Sequence, residues 1–150
     1  MLIDTGQSRL DWVKPRSFKG LMALYESNYR RLGKLLGNRR ALPDEAVSAV
    51  RDDLDLHLRV EEQTPYTTTF RLTYRFGEDG SGEADPDLQV RIYHDVQVAE
   101  VLSCKPTHRH HMLKRFDARG QNELASRWQR NLLLNKWLEY CLERGHSFDF

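Results

Sequence analysis

The chain reads as an α+β protein: a three- to four-stranded antiparallel meander with helices packed on one face. Apolar residues recur at helical spacing near both ends, and between them the period drops to two with no helical stretch intervening. Strands that follow one another without helices pair as an antiparallel meander. Their alternation then implies one covered face and one wet face.

Residues 1 to 16 mix Gly6, Pro15 and charges with Leu10, Trp12 and Val13, which predicts an extended arm docked by its aromatic residue. Ser17 is a suitable N-cap. From there Phe18, Leu21, Met22, Tyr25, Tyr29, Leu32 and Leu36 recur at helical spacing until Gly37, a suitable residue for the helix end. Pro43, Asp44 and Glu45 resemble a first helical turn, so a second, shorter helix is expected from Pro43 to about Asp52, with Ala46, Val47 and Val50 as its contacts.

The period changes at Leu54, Leu56, Leu58 and Val60, which alternate with Asp55, His57, Arg59 and Glu61. A turn near Thr64 and Pro65 leads to a second strand, with Phe70, Leu72, Tyr74 and Phe76 on the covered side. Residues 77 to 87 form an acidic connector holding Glu78, Asp79, Glu83, Asp85 and Asp87, without calcium-loop spacing. A third strand is expected from Leu88 to Val101, placing Val90, Ile92, His94, Val96 and Val98 on one face. Strand neighbours point to opposite faces, so His94 and Asp95 cannot pair within it. After a basic stretch, Leu124, Trp128, Leu132, Asn135, Leu138 and Cys141 or Leu142 mark a final helix that ends at Gly145, the natural partner of the first.

A chain of 150 residues that is 39% hydrophobic is expected to be one domain, 1–150, with enough core to fold without metal or disulfide. The 23 Lys+Arg against 22 Asp+Glu give a net charge of +1, so there is no global field to draw nucleic acid or anionic lipid. Cys104 and Cys141 read as free thiols. With no signal peptide and no apolar run of the ~20 residues a membrane helix needs, a soluble cytoplasmic protein is expected.

No Gly-x-Ser-x-Gly elbow, phosphate-binding Gly-rich loop or zinc signature occurs, so no catalytic or metal residue and no cofactor is assigned. Three groups of residues remain. On the open face, Arg71, Arg91, Tyr93 and Asp95 form a candidate contact patch. The segment 105–119 adds Arg109, Lys114 and Arg115, whose forked or point charges suit phosphate and carboxylate. Tyr25, Asn28, Tyr29, His94, Asn131 and Asn135 sit on buried stripes, as a structural polar network or the lining of a pocket; unpaired, such groups would cost ~1–3 kcal/mol each.

The segments LMALYESNYRRL, VRIYHDVQVAEV and LNKWLEYCLERGH resemble the YqiB-like family of bacterial proteins, a domain of unknown function, over nearly the whole chain. The matching positions are Tyr25, Glu26, Asn28 and Tyr29, then Arg91, Tyr93, His94 and Asp95, then Asn135, Trp137, Gly145 and His146. The resemblance implies a single-domain cytosolic bacterial protein and brings no catalytic assignment. The reading that follows is a non-enzymatic binding or regulatory module for a partner protein or a small anionic ligand. One alternative is a metal-assisted hydrolase using His94 with His108, His110 and His111. Another is weak nucleic-acid binding through 105–119, disfavoured because too few aromatic residues lie on the open face. Neither an oligomeric state nor membrane contact is indicated.

Overall fold

A computed structural model describes residues 17–75, 84–104 and 123–148, apart from the Leu124 side chain. The expected arm at 1–16, the residues Phe76, Glu78, Asp79 and Glu83, and the 105–119 segment with its three histidines, Arg109, Lys114 and Arg115 lie outside the described residues. The fold is α+β. Helix α1 spans Phe18–Leu36, β1 Glu45–Ser48, β2 Leu56–Gln63, β3 Thr67–Arg75, β4 Ala84–Tyr93, β5 Val98–Ser103 and α2 Glu123–Glu143. The five strands form one antiparallel sheet in chain order, where three or four were expected.

Helix α1 begins and ends where its capping residues dictate. The Ser17 hydroxyl accepts from the Gly20 N–H at 2.9 Å, and Gly37 turns the chain out at φ 68°, a conformation that favours glycine. The helix expected from Pro43 is strand β1 instead. Its residues pair with β2 as Glu45↔Arg59, Ala46↔Leu58, Val47↔His57 and Ser48↔Leu56. A proline followed by acids is a local start signal, and sheet pairing of a segment containing β-branched Val47 outweighs it.

The even-numbered face of β2 to β4 is covered, as its parity requires: Leu56, Leu58, Phe70, Leu72, Tyr74, Leu88, Val90 and Ile92 are all buried. The expected third strand is two strands. Residues 94 to 97 form a turn closed by the Gln97 N–H donating to Tyr93 O at 3.0 Å, with Gln97 at φ 57°. Because this hairpin pairs Tyr93 with Val98 and Ile92 with Ala99, even faces odd across it. Ala99 and Val101 therefore join the core. Val96, expected on the covered face, is 68% exposed at the turn.

Helices α1 and α2 run parallel. Tyr25 shares a hydrophobic cluster with Trp128, Asn28 bonds Asn131 and Asn135, and Arg31 pairs with Glu139 at 3.3 Å, so contacts on both helices advance in the same direction. Their later turns roof the sheet through Leu32, Leu35, Leu36, Leu133, Leu134, Trp137, Leu138 and Cys141. Their first turns overhang β5, where Leu21, Leu24, Tyr25 and Trp128 gather around Val98 and Tyr93. No described helix is long and apolar enough to cross a membrane.

Candidate binding face

Alternation along β1 to β4 leaves the odd-numbered side chains on the open face, and cross-strand register sets which of them meet. One ladder runs Glu45, Arg59, Arg71, Gln89; the next runs Val47, His57, Thr73, Asp87. Apart from Gln89, these two rows and Arg75 line a concave groove of about 400 Å³. Its wall on one side is β1, where Val47 is 55% exposed.

The two central arginines of this groove are in different situations. Arg71 is held by two carboxylates, Glu61 Oε2 and Asp87 Oδ1, each at 3.3 Å. Arg59 lies directly opposite Arg71 on one side and Glu45 on the other, exposed, and forms no ion pair with a described carboxylate. Like charges set directly across a strand pair destabilise it. Thr73 Oγ1 donates to the same Asp87 oxygen at 3.3 Å, so Asp87 fixes both the arginine and the threonine beside it.

Arg91 and Tyr93 share the odd-numbered side but serve a second constellation at the β5 end, where the first helical turns pack against Tyr93. Arg91 Nε donates to Thr69 Oγ1 at 2.9 Å, and Tyr93 O–H donates to Glu100 Oε1 at 2.7 Å. Burial, reinforced by Glu100, raises the pKa of the Tyr93 and Tyr25 phenols. Tyr25, expected in the helix-side network, thus turns its chemistry toward Glu100 at the β5 edge. Arg71 and Arg91 are not cross-strand partners, since Arg71 faces Gln89 while Arg91 faces Thr69. Asp95 is in the β4–β5 turn, 3.8 Å from Arg40 Nη2.

Asn28, Asn131 and Asn135 form a buried seam between the helices. Asn28 Nδ2 donates to Asn131 O at 3.3 Å, while Asn135 Nδ2 donates to Ser27 Oγ at 2.9 Å and Asn28 Oδ1 at 3.0 Å. His94 is not part of it. The imidazole is buried, but its Nε2 lies 2.8 Å from Thr68 Oγ1, and Thr68 Oγ1 donates to Arg39 O at 3.4 Å. Burial, then Arg40 and Arg39, lower its pKa. Arg39 lies 4.1 Å over the Tyr29 ring, its guanidinium filling the space a side chain at Gly33 would need. Tyr29 is thus engaged by Arg39, apart from the seam the asparagines form.

A further polar chain escaped the sequence reading. Tyr74 O–H donates to Asp53 Oδ2 at 2.7 Å and meets His146 Nε2 at 2.7 Å; His146 Nδ1 meets Ser48 Oγ at 2.9 Å, which accepts from the Ser147 N–H at 3.0 Å. With the tyrosine proton given to Asp53, satisfying every member makes Nε2 the imidazole donor and Nδ1 its acceptor. Burial lowers the His146 pKa against the opposing pull of Asp53. Ser48 is 5% exposed and bonded on both sides, so the Ser-His-Asp composition works as an anchor that fastens the chain end to β1. Tyr74 was the available signal: a hydroxyl on a covered face needs a partner.

Cys104 and Cys141 are both free. Burial pushes the Cys104 thiol up to about 11 and raises Cys141 as well, which opposes thiolate chemistry at neutral pH. Among the described residues no three His, Cys, Asp or Glu side chains converge as metal ligands.

The class this geometry defines is an α+β protein whose antiparallel sheet is roofed on one face by two parallel helices and is open and concave on the other. The chain belongs to the family described as "Protein of unknown function (DUF1249)", whose model matches residues 31–147. It is 32% identical over 128 residues to "Uncharacterized protein YqiB" of Escherichia coli strain K12, covering 85% of this chain and 90% of that protein. The corresponding proteins of the Escherichia coli O6:H1 and O157:H7 strains match with the same figures. No solved structure matches it.

Proposed function

We propose that the chain is a non-enzymatic binding module that takes a small anionic ligand, phosphate- or carboxylate-bearing, in the open-face groove. The observation that carries this reading is the placement of Arg59 directly opposite Arg71 in a concavity, with no described carboxylate on Arg59. A bound anion between the guanidinium groups would replace their repulsion with two charge-assisted interactions. Arg71 is pre-set by Glu61 and Asp87, so little side-chain freedom is lost there on binding. His57 and Thr73 supply further polar contacts, and Val47 an apolar wall.

Thermal unfolding in a series of inorganic phosphate, pyrophosphate and citrate concentrations at fixed ionic strength tests the proposal. A ligand that binds only the folded state raises Tm with concentration. The expected result is a rise for at least one anion that disappears in Arg59→Ala. Equal rises in the parent and the variant would refute the groove as the site, and no rise with any of them would refute small-anion binding.

A further inference from the structure

The two edges of the sheet are finished differently. On β5, the Val101 N–H donates to Asn131 Oδ1 at 2.8 Å, and its C=O accepts from Arg130 Nε at 3.3 Å. Two side chains of α2 thus occupy the backbone groups through which another strand would pair. An edge left bare is a template for strand addition, and this is one way of closing it.

On β1 the ladder itself shows which groups face outward. The Val60 N–H donates to Asp44 O at 2.8 Å, and the register continues Glu45↔Arg59, Ala46↔Leu58, Val47↔His57. Hydrogen-bonded and non-hydrogen-bonded pairs alternate along an antiparallel ladder. Ala46 therefore directs its backbone groups to β2, while Glu45 and Val47 direct theirs away from the sheet. No described residue meets them. The Glu45 side chain is exposed and forms no ion pair with a described residue, although Arg59 faces it from β2, and Val47 is 55% exposed.

We infer that β1 is a docking edge for an extended segment of a partner protein, which adds as a further antiparallel strand with a basic residue opposite Glu45 and an aliphatic residue opposite Val47. Backbone pairing through Glu45 and Val47 provides the attachment, and the two facing side chains set the preference. The small Ala46 side chain between them, packed against the margin of the core, leaves room for an apolar residue on the inner side of the added strand. A second copy of this chain is the poorer fit. Antiparallel self-pairing about Ala46 sets Glu45 of one copy against Val47 of the other and gives neither carboxylate a cation. This interaction does not depend on anion binding in the groove.

The test uses the full chain and two synthetic peptides, Thr-Val-Thr-Lys-Thr and Thr-Val-Thr-Glu-Thr, followed by amide NMR and hydrogen exchange. In dilute free protein the Glu45 and Val47 amides should exchange fast while Ala46 is protected. The lysine peptide should shift and protect Glu45 and Val47 more strongly than the glutamate peptide. Val47→Pro removes the outward donor and the isopropyl group while leaving the β1–β2 hydrogen bonds in place, which an edge strand tolerates, and should weaken binding roughly tenfold. Glu45→Lys, a surface change, should reverse the peptide preference. Protection of Glu45 and Val47 in dilute free protein would overturn the inference, because the chain would then cover its own edge. So would protection that grows with protein concentration alongside a dimer mass, which would make a second copy the occupant, or absence of any shift at millimolar peptide.

Discussion

A double-mutant cycle between Arg59 and Arg71 isolates the feature on which the proposed anion site rests. Single substitutions of Arg59 are ambiguous, because Glu45 faces it from β1 while Arg71 faces it from β3. The cycle cancels the Glu45 contribution and leaves the coupling between the two guanidinium groups. Directly opposed like charges on a sheet are worth up to ~1 kcal/mol of destabilisation. Two facts move the expectation toward the lower end. The Arg71 side chain is 34% exposed, and its charge is partly met by Glu61 and Asp87 at 3.3 Å. A repulsive coupling of ~0.3 kcal/mol follows at low salt. It should fade at ~1 M salt, where the screening length is about 3 Å. Urea unfolding of the parent, Arg59→Ala, Arg71→Ala and the double variant gives the number. Adding the anion that raises Tm should turn the coupling attractive, since both arginines then share a ligand. An attractive coupling without ligand, or a repulsive one unchanged by that ligand, would show that the facing arginines are merely two solvated charges.

Two more outcomes follow from the buried histidines. Tyr74→Phe removes the acceptor 2.7 Å from His146 Nε2 and the donor to Asp53, and should cost ~1–3 kcal/mol in chemical unfolding. Because the folded-state pKa values of His94 and His146 are both lowered, the unfolded chain binds more protons just below its ordinary histidine value of ~6.5. Stability should therefore be full above that pH and fall as pH drops through the folded-state values, measured as a falling urea midpoint. Gly33→Ala must push the Arg39 guanidinium off its seat over Tyr29. The ~1 kcal/mol gained in helix propensity should roughly offset a lost cation-aromatic contact of ~0.5–1 kcal/mol, leaving stability little changed. The His94 pKa should rise, read from its ring proton shifts, because Arg39 no longer opposes protonation.

Sheet parity was readable because a half-buried strand must alternate: Leu56, Leu58, Phe70, Leu72, Tyr74, Leu88, Val90 and Ile92 are all buried, and the pattern lapses at the end of β2, where Val60 is half-buried and Glu62 exposed. Helix α1 was readable at both ends because Ser17 and Gly37 satisfy local requirements. The β1 segment was misread where a local signal, Pro43 with its acids, competes with a pairing that only the folded chain supplies. The β4–β5 turn was missed for a related reason. LQVRIYHDVQVAEV keeps an apolar residue at every second position through His94 to Gln97, and the turn contains neither Gly nor Pro, with Gln97 taking φ 57°. His94 is held in the turn by its bonds to Tyr66 O and Thr68 Oγ1, so its burial was anticipated on a strand argument that does not apply.

The candidate site was legible only in its membership of a face. Parity placed Arg59, Arg71, Arg91 and Tyr93 on the open side, but what each does depends on register. A shift of two residues in the β2–β3 pairing would keep every side chain on its face and set Arg59 against Leu72's odd-numbered neighbour Thr73 in place of Arg71, abolishing the repulsion on which the groove's chemistry turns. Register at Arg59 is set by the Thr64–Thr67 turn, where the Thr64 hydroxyl accepts from the Tyr66 and Thr67 N–H groups at 3.2 and 2.9 Å, together with the one-residue shift in pairing between Val60 and Glu62. Function on this face is thus decided partly by a turn that contributes no side chain to it. A Thr64→Val substitution, which keeps shape and removes that acceptor, should loosen the turn and with it the definition of the groove, while the helix-covered core that selects the face remains in place.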